Sequence, residues 1–94
     1  MSLEGYKEVQ DITKEVGEKV EKQYQFPNSI KILEAKLMIG PNGWGSYVYY
    51  LMIKYEIDEV QYIKTEQIVT NISGTLHYML DEIKNFYERM HVIQ

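Results

Sequence analysis

Residues 39–57 read IGPNGWGSYVYYLMIKYEI, a turn cluster followed by the most strand-like run in the chain. Tyr47, Tyr49, Leu51, Ile53, Tyr55 and Ile57 recur at every second position, the period of one face of a pleated sheet. β-Branched and aromatic residues dominate the run, as a half-buried strand requires. Gly40-Pro41-Asn42-Gly43 and Gly45, around Trp44, mark a chain reversal just before it. The run is expected to be the central strand of a small antiparallel sheet.

On its N-terminal side, SIKILEAKLMI (29–39) reads as a first strand, with Leu33, Ala35, Leu37 and Ile39 on one apolar face. Ile30 and Ile32 fall on the polar parity, which points to a bulge or to a second, partly covered face. On the C-terminal side Asp58-Glu59 predicts a short hairpin loop without the glycine that two-residue turns favour. VQYIKTEQIVT (60–70) then reads as an edge strand protected by Lys64, Thr65, Glu66 and Gln67. Outside these lie two helical patterns. In residues 5–25 Tyr6, Val9, Ile12, Val16, Val20 and Tyr24 form a stripe at three- and four-residue steps, with Gly17 as a weak point and Pro27 as a stop. In residues 74–92 Leu76, Met79/Leu80, Ile83, Phe86/Tyr87 and Met90, continued by Ile93, form the other, with Ser73 as the expected N-cap. The expected fold class is α+β in the order α-β-β-β-α: a three-stranded antiparallel meander sheet with two helices packed on one face.

The whole of 1–94 is expected to be a single domain, with Met1-Ser2-Leu3 read as a possible expression leader and residues 1–4 given no structural weight. The absence of cysteine removes disulfides, thiolate metal sites and cysteine nucleophiles. No apolar run approaches the ~18 residues of a membrane span, so a cytoplasmic protein without membrane contact is expected. Asn71-Ile72-Ser73 matches a glycosylation pattern that matters only on a secretory route. The net charge of −4 is spread as −2, −1 and −1 over residues 1–28, 29–72 and 73–94. With no basic segment and a single arginine, the chain lacks the usual means of neutralising phosphates, which argues against nucleic acid as a partner.

Four residues are singled out for interaction: Trp44, Val48, Tyr50 and Met52. Trp44 on its glycine-rich loop is either a binding anchor or folded back on Tyr47 or the strand edge. Val48, Tyr50 and Met52 share a parity with Ile30, Ile32 and Met38, so helices confined to the other face would leave an apolar patch interrupted by Glu34, Lys36 and Lys54. Tyr47, Tyr49, Tyr50, Tyr55 and Tyr62 are either a stacking platform for bases or the wall of a pocket for an aromatic ligand, or else ordinary strand and core filling, with Tyr47, Tyr49 and Tyr55 on the core parity. Glu88 and His91 have the Glu-x-x-His spacing of helical carboxylate metal sites, which need the motif twice; here it occurs once. His77 and Asp81 can pair along a helix, and Ser73-Gly74-Thr75 is a helix cap or a phosphate cradle. No catalytic residue, cofactor site or metal site is assigned.

The α-β-β-β-α order with Gly40-Pro41 between the first two strands resembles the layout of double-stranded RNA-binding domains. The resemblance implies the architecture and no binding residue. That family's basic cluster falls at Ser73 to His77, where this chain has no lysine, and Asn42, Gly43 and Trp44 replace the histidine expected after Gly-Pro. The leading expectation is a non-enzymatic interaction module, homo-oligomeric through the second sheet face, with an unidentified protein as a further partner. Two alternatives stand beside it: a tyrosine-lined pocket for a small ligand, and shape-based RNA binding.

Overall fold

The computed structural model describes residues 5–92, so the expected leader at Met1–Leu3 and the helical position of Ile93 lie outside the described residues. The chain runs β1 (Lys7–Asp11), α1 (Thr13–Lys19), a π-helical continuation of α1 (Val20–Tyr24), β2 (Ile30–Pro41), β3 (Tyr47–Ile57), β4 (Val60–Gln67) and α2 (Ile72–Val92). The class is α+β, as expected. The sheet has four strands in the order β1-β2-β3-β4, each antiparallel to its neighbours, rather than three.

The additional strand comes from the front of the expected first helix. Residues 7–11 leave the helical stripe and pair with Lys36–Ile39 along the outer edge of β2. Every side chain of β1 is exposed, so helix and strand bury about equally little there. The open backbone groups of β2 decide the outcome, because unpaired ladder positions are satisfied by a neighbouring strand. A bulge at Val9 shifts the register between Glu8 and Gln10. The helix then starts at Thr13, whose N–H and hydroxyl both donate to Asp11 Oδ1, at 2.9 and 2.6 Å. The Thr13 hydroxyl also accepts the Ala35 N–H at 3.0 Å, which fastens the helix start to β2.

The mixed parity of the first strand is resolved by a bulge at Leu33, between Ile32 and Glu34. The extra residue turns Ile30 and Ile32 to the same side as Ala35, opposite Ile57, Tyr55 and Ile53 of β3. Both isoleucines therefore join the main core and leave the second face, a correction to the patch expected there. β3 and β4 are joined by Asp58-Glu59 with φ of 51° and 70°, the left-handed pair that a two-residue hairpin demands even of residues that adopt it at a cost.

The core lies between one sheet face and both helices. Leu51, Ile53 and Ile57 of β3 and Ala35 of β2 pack with Val16 of α1 and Leu76, Met79, Leu80 and Ile83 of α2, all buried. α2 is capped by Asn71, not Ser73: the Asn71 Oδ1 accepts the Gly74 N–H at 2.6 Å. α2 begins beside the level of Tyr49, whose carbonyl accepts the Ile68 N–H at 2.9 Å. It runs back along β4 until His91 Nε2 stands 3.2 Å from Asp58 in the β3–β4 turn.

Candidate interaction surface

Helix and strand lengths explain what is left uncovered. The 21 residues of α2 span about 31 Å at 1.5 Å each, and they begin only at the level of Tyr49. The strands of the β2–β3 hairpin continue beyond that level to Pro41 and Tyr47. Tyr47 and Tyr49 therefore keep the core parity while standing past the end of the helical layer, and are 68% and 51% exposed. At the tip the Asn42 side chain organises the reversal, accepting the N–H groups of Trp44 and Ser46 at 2.9 and 3.1 Å, and Gly45 takes φ 83°. This loop holds Trp44 away from the strands, 92% exposed. Trp44 is thus an outward-standing side chain and is not folded back on Tyr47. From Leu37 to Ile53 no residue carries a charge, in a chain of which 26% is charged.

The other expected residues lie on the opposite face of the same hairpin and are arranged differently. Tyr50 is half-buried. Its ring meets Tyr6 edge-on at a centroid distance of 5.2 Å, and its hydroxyl donates to the Pro41 carbonyl at 3.2 Å. Desolvation, reinforced by Tyr6, holds the Tyr50 hydroxyl above the ordinary tyrosine pKa. The Tyr6 ring in turn occupies the space beside Gly40, where an added Cβ would come within 2.0 Å of it. Val48, opposite Gly40, is half-buried as well. Met52 is only 6% exposed, placed between Lys36 and Thr65 of the flanking strands, and Met38 sits between Glu8 and Tyr50. Lys36 Nζ is held by Glu8 Oε1 at 2.7 Å and Glu34 Oε1 at 2.8 Å, which raises its pKa well above that of a free lysine. Large side chains on neighbouring strands thus shield both methionines without a helix above them. The structure brings Trp44, Val48 and Tyr50 together around one hairpin and leaves Met52 at its buried root.

The remaining candidates resolve into structure. Tyr55 stacks on Tyr62 at 5.4 Å and Tyr62 meets Phe86 edge-on at 5.2 Å, a packed aromatic row under α2. Burial raises the Tyr55 pKa, with Tyr62 adding to it. The cleft beside this row measures about 230 Å³, below the roughly 300–1,000 Å³ of ordinary ligand pockets. His91 is engaged with Asp58 and, through Nδ1 at 2.8 Å, with the Tyr87 carbonyl. Among the described residues no group of three or more His, Asp or Glu is placed to hold a metal ion. His77 does meet Asp81, at 3.2 Å, and its other ring nitrogen is hydrogen-bonded to the Tyr24 hydroxyl, which links α2 to the end of the first helical segment. No described helix is long and apolar enough to cross a membrane.

The sequence points to Trp44 on its loop and to Tyr47 and Tyr49 only as core filling or a pocket wall, because alternation reports parity and not how far a helix reaches. Sequence reasoning missed Tyr6 and Glu8, which period 3.6 had assigned to a helix. Comparison of the chain with family models, with curated proteins and with solved structures found no match.

Proposed function

We propose that the chain is a small interaction module that self-associates through the uncharged hairpin arm. Trp44, Tyr47 and Tyr49 form its open side, and Val48 and Tyr50 its second side, with Met52 at the base. One observation carries this reading: three aromatics, 92%, 68% and 51% exposed, stand on an arm that neither helix covers and that has no charge. At roughly 150–250 Å² for each aromatic side chain, the three offer a patch of a few hundred Å², the size that on monomers is often functional. Aromatic residues of this kind dominate the energetics of interfaces. A second copy is the partner that fits best, since a chain of net charge −4 avoids self-repulsion by meeting through its uncharged part. RNA fits less well: aromatic faces suit base stacking, but no lysine or arginine lies between Leu37 and Ile53 to hold the backbone.

The test is native mass by light scattering, read together with the emission of Trp44, the only tryptophan. As concentration rises, the mass should increase and the emission should move to shorter wavelength. The double variant Trp44→Ser/Tyr47→Ser should fold normally and give a smaller particle. An unchanged mass in that variant, with solvent-like emission from the parent protein at every concentration, would overturn the arm as a contact surface. Self-association centred on Tyr50 and Met52 is the second reading, favoured by the absence of any described helix on that face. Tyr50→Lys, with folding checked by circular dichroism, separates the two, because it leaves the open side of Trp44, Tyr47 and Tyr49 intact and should break only the second kind of assembly.

A further inference from the structure

We infer that the free edge of β4 is a second self-association surface, one that pairs antiparallel with β4 of another copy about a two-fold axis through Thr65. This goes beyond the hairpin arm and does not depend on it.

The outward-facing groups follow from the hairpin geometry. A two-residue loop makes Ile57 and Val60 a hydrogen-bonded pair, and such pairs then alternate along the ladder. The bond from Ile68 N–H to the Tyr49 carbonyl, at 2.9 Å, keeps this phase at the far end. Gln61, Ile63, Thr65 and Gln67 therefore direct their N–H and C=O groups away from β3, on the side where the strand order β1-β2-β3-β4 gives β4 no neighbour among the described residues. Val60 and Ile63, both more than half exposed, lie along this edge, and Tyr78 of α2 stands exposed beside its C-terminal end.

Charge chooses the register. With the axis at Thr65, Lys64 faces Glu66 of the second copy and Glu66 faces its Lys64, so two ion pairs form by symmetry. Both side chains already point to one face, 3.6 Å apart within the strand. An axis at Lys64 sets lysine against lysine, and one at Glu66 sets glutamate against glutamate, which is unfavourable at directly opposed positions. An axis at Ile63 leaves Lys64 opposite Tyr62 and Glu66 opposite Val60, without ion pairs. The Thr65 register also answers an unpaired group. The Thr65 Oγ1 has no hydrogen-bond partner among the described residues, and a turn about χ1 from its buried position toward the open edge would let two facing Thr65 hydroxyls bond each other, a pairing common across strands. Thr65 with Thr65, and Ile63 with Gln67 in both directions, would exchange about six backbone hydrogen bonds. The charges that would protect this edge against foreign strands are thus complementary to its own copy, and the two-fold axis closes this contact, so that without the arm the assembly stops at two chains.

The test uses the full chain carrying Trp44→Ser/Tyr47→Ser, so that the arm and the edge are read separately. Light scattering should give twice the chain mass. Amide exchange followed by NMR should show Ile63, Thr65 and Gln67 protected when concentrated and unprotected when dilute. Lys64→Glu should yield a folded monomer by circular dichroism, and Lys64→Glu/Glu66→Lys should restore the dimer. A monomer at all concentrations in the arm variant would overturn the inference without touching the arm reading. So would a dimer in which those three amides exchange freely, a measurement that needs no substitution in β4.

Discussion

Two glycines show how the same residue type answers to different forces. Gly17 lies inside α1, and a Cβ built there meets nothing within 4 Å. Its only effect is the entropy it adds to the unfolded chain, so Gly17→Ala should raise stability by about 0.5–1 kcal/mol in urea denaturation. Gly40 is the opposite case, because its missing side chain is the space that the Tyr6 ring occupies. Gly40→Ala should cost about 1–3 kcal/mol, as overpacking does. A Tyr6→Ala background should remove most of that penalty. Finding the two substitutions equal in sign would show that Tyr6 is not seated on β2.

At the level of elements, the joint between β1, α1 and β2 depends on one ionised side chain. Asp11 accepts two hydrogen bonds from Thr13, first through the hydroxyl and then through the N–H, and these hold its carboxyl below the ordinary 3.8. Because the folded-state value is the lower one, the stabilisation is complete above the unfolded value. It is lost as pH falls through the folded one. The difference in urea midpoint between the parent and Asp11→Ala should therefore be constant near neutrality and shrink below about pH 4. A pH-independent difference would place the contribution of Asp11 elsewhere. The same joint explains why the front of the expected first helix became a strand. The apolar stripe from Tyr6 to Tyr24 has period 3.6 throughout, but its first part splits, with Tyr6 packed on Gly40 and Tyr50 of the sheet and Val9 exposed, while the edge of β2 offers backbone partners.

Across the whole molecule, the only tryptophan stands outside the core. Global unfolding of dilute protein should therefore change Trp44 emission little, while far-UV circular dichroism reports the full transition. A large emission change at the same midpoint would mean that the arm is shielded even in the single chain. The opposite holds for the core, where Leu51, Ile53, Ile57, Met79, Leu80 and Ile83 are almost wholly buried. Truncating Ile83 to Ala should cost roughly 2–5 kcal/mol, a large share of the stability of so small a domain.

The sequence by itself determined the hairpins and the long last helix. Alternation from Tyr47 to Ile57, the two-residue turn at Asp58-Glu59 and the stripe from Leu76 to Met90 are local patterns, and local patterns survive in the fold whenever they agree with burial. The tertiary structure alone decided the fourth strand, the parity of Ile30 and Ile32, and the exposure of Tyr47 and Tyr49. Each depends on something no window of sequence contains: an open strand edge far along the chain, a bulge fixed by its partner strand, or the point where a helix ends above a sheet. Alternation says which side chains share a face. Only the packed layers say whether anything covers it.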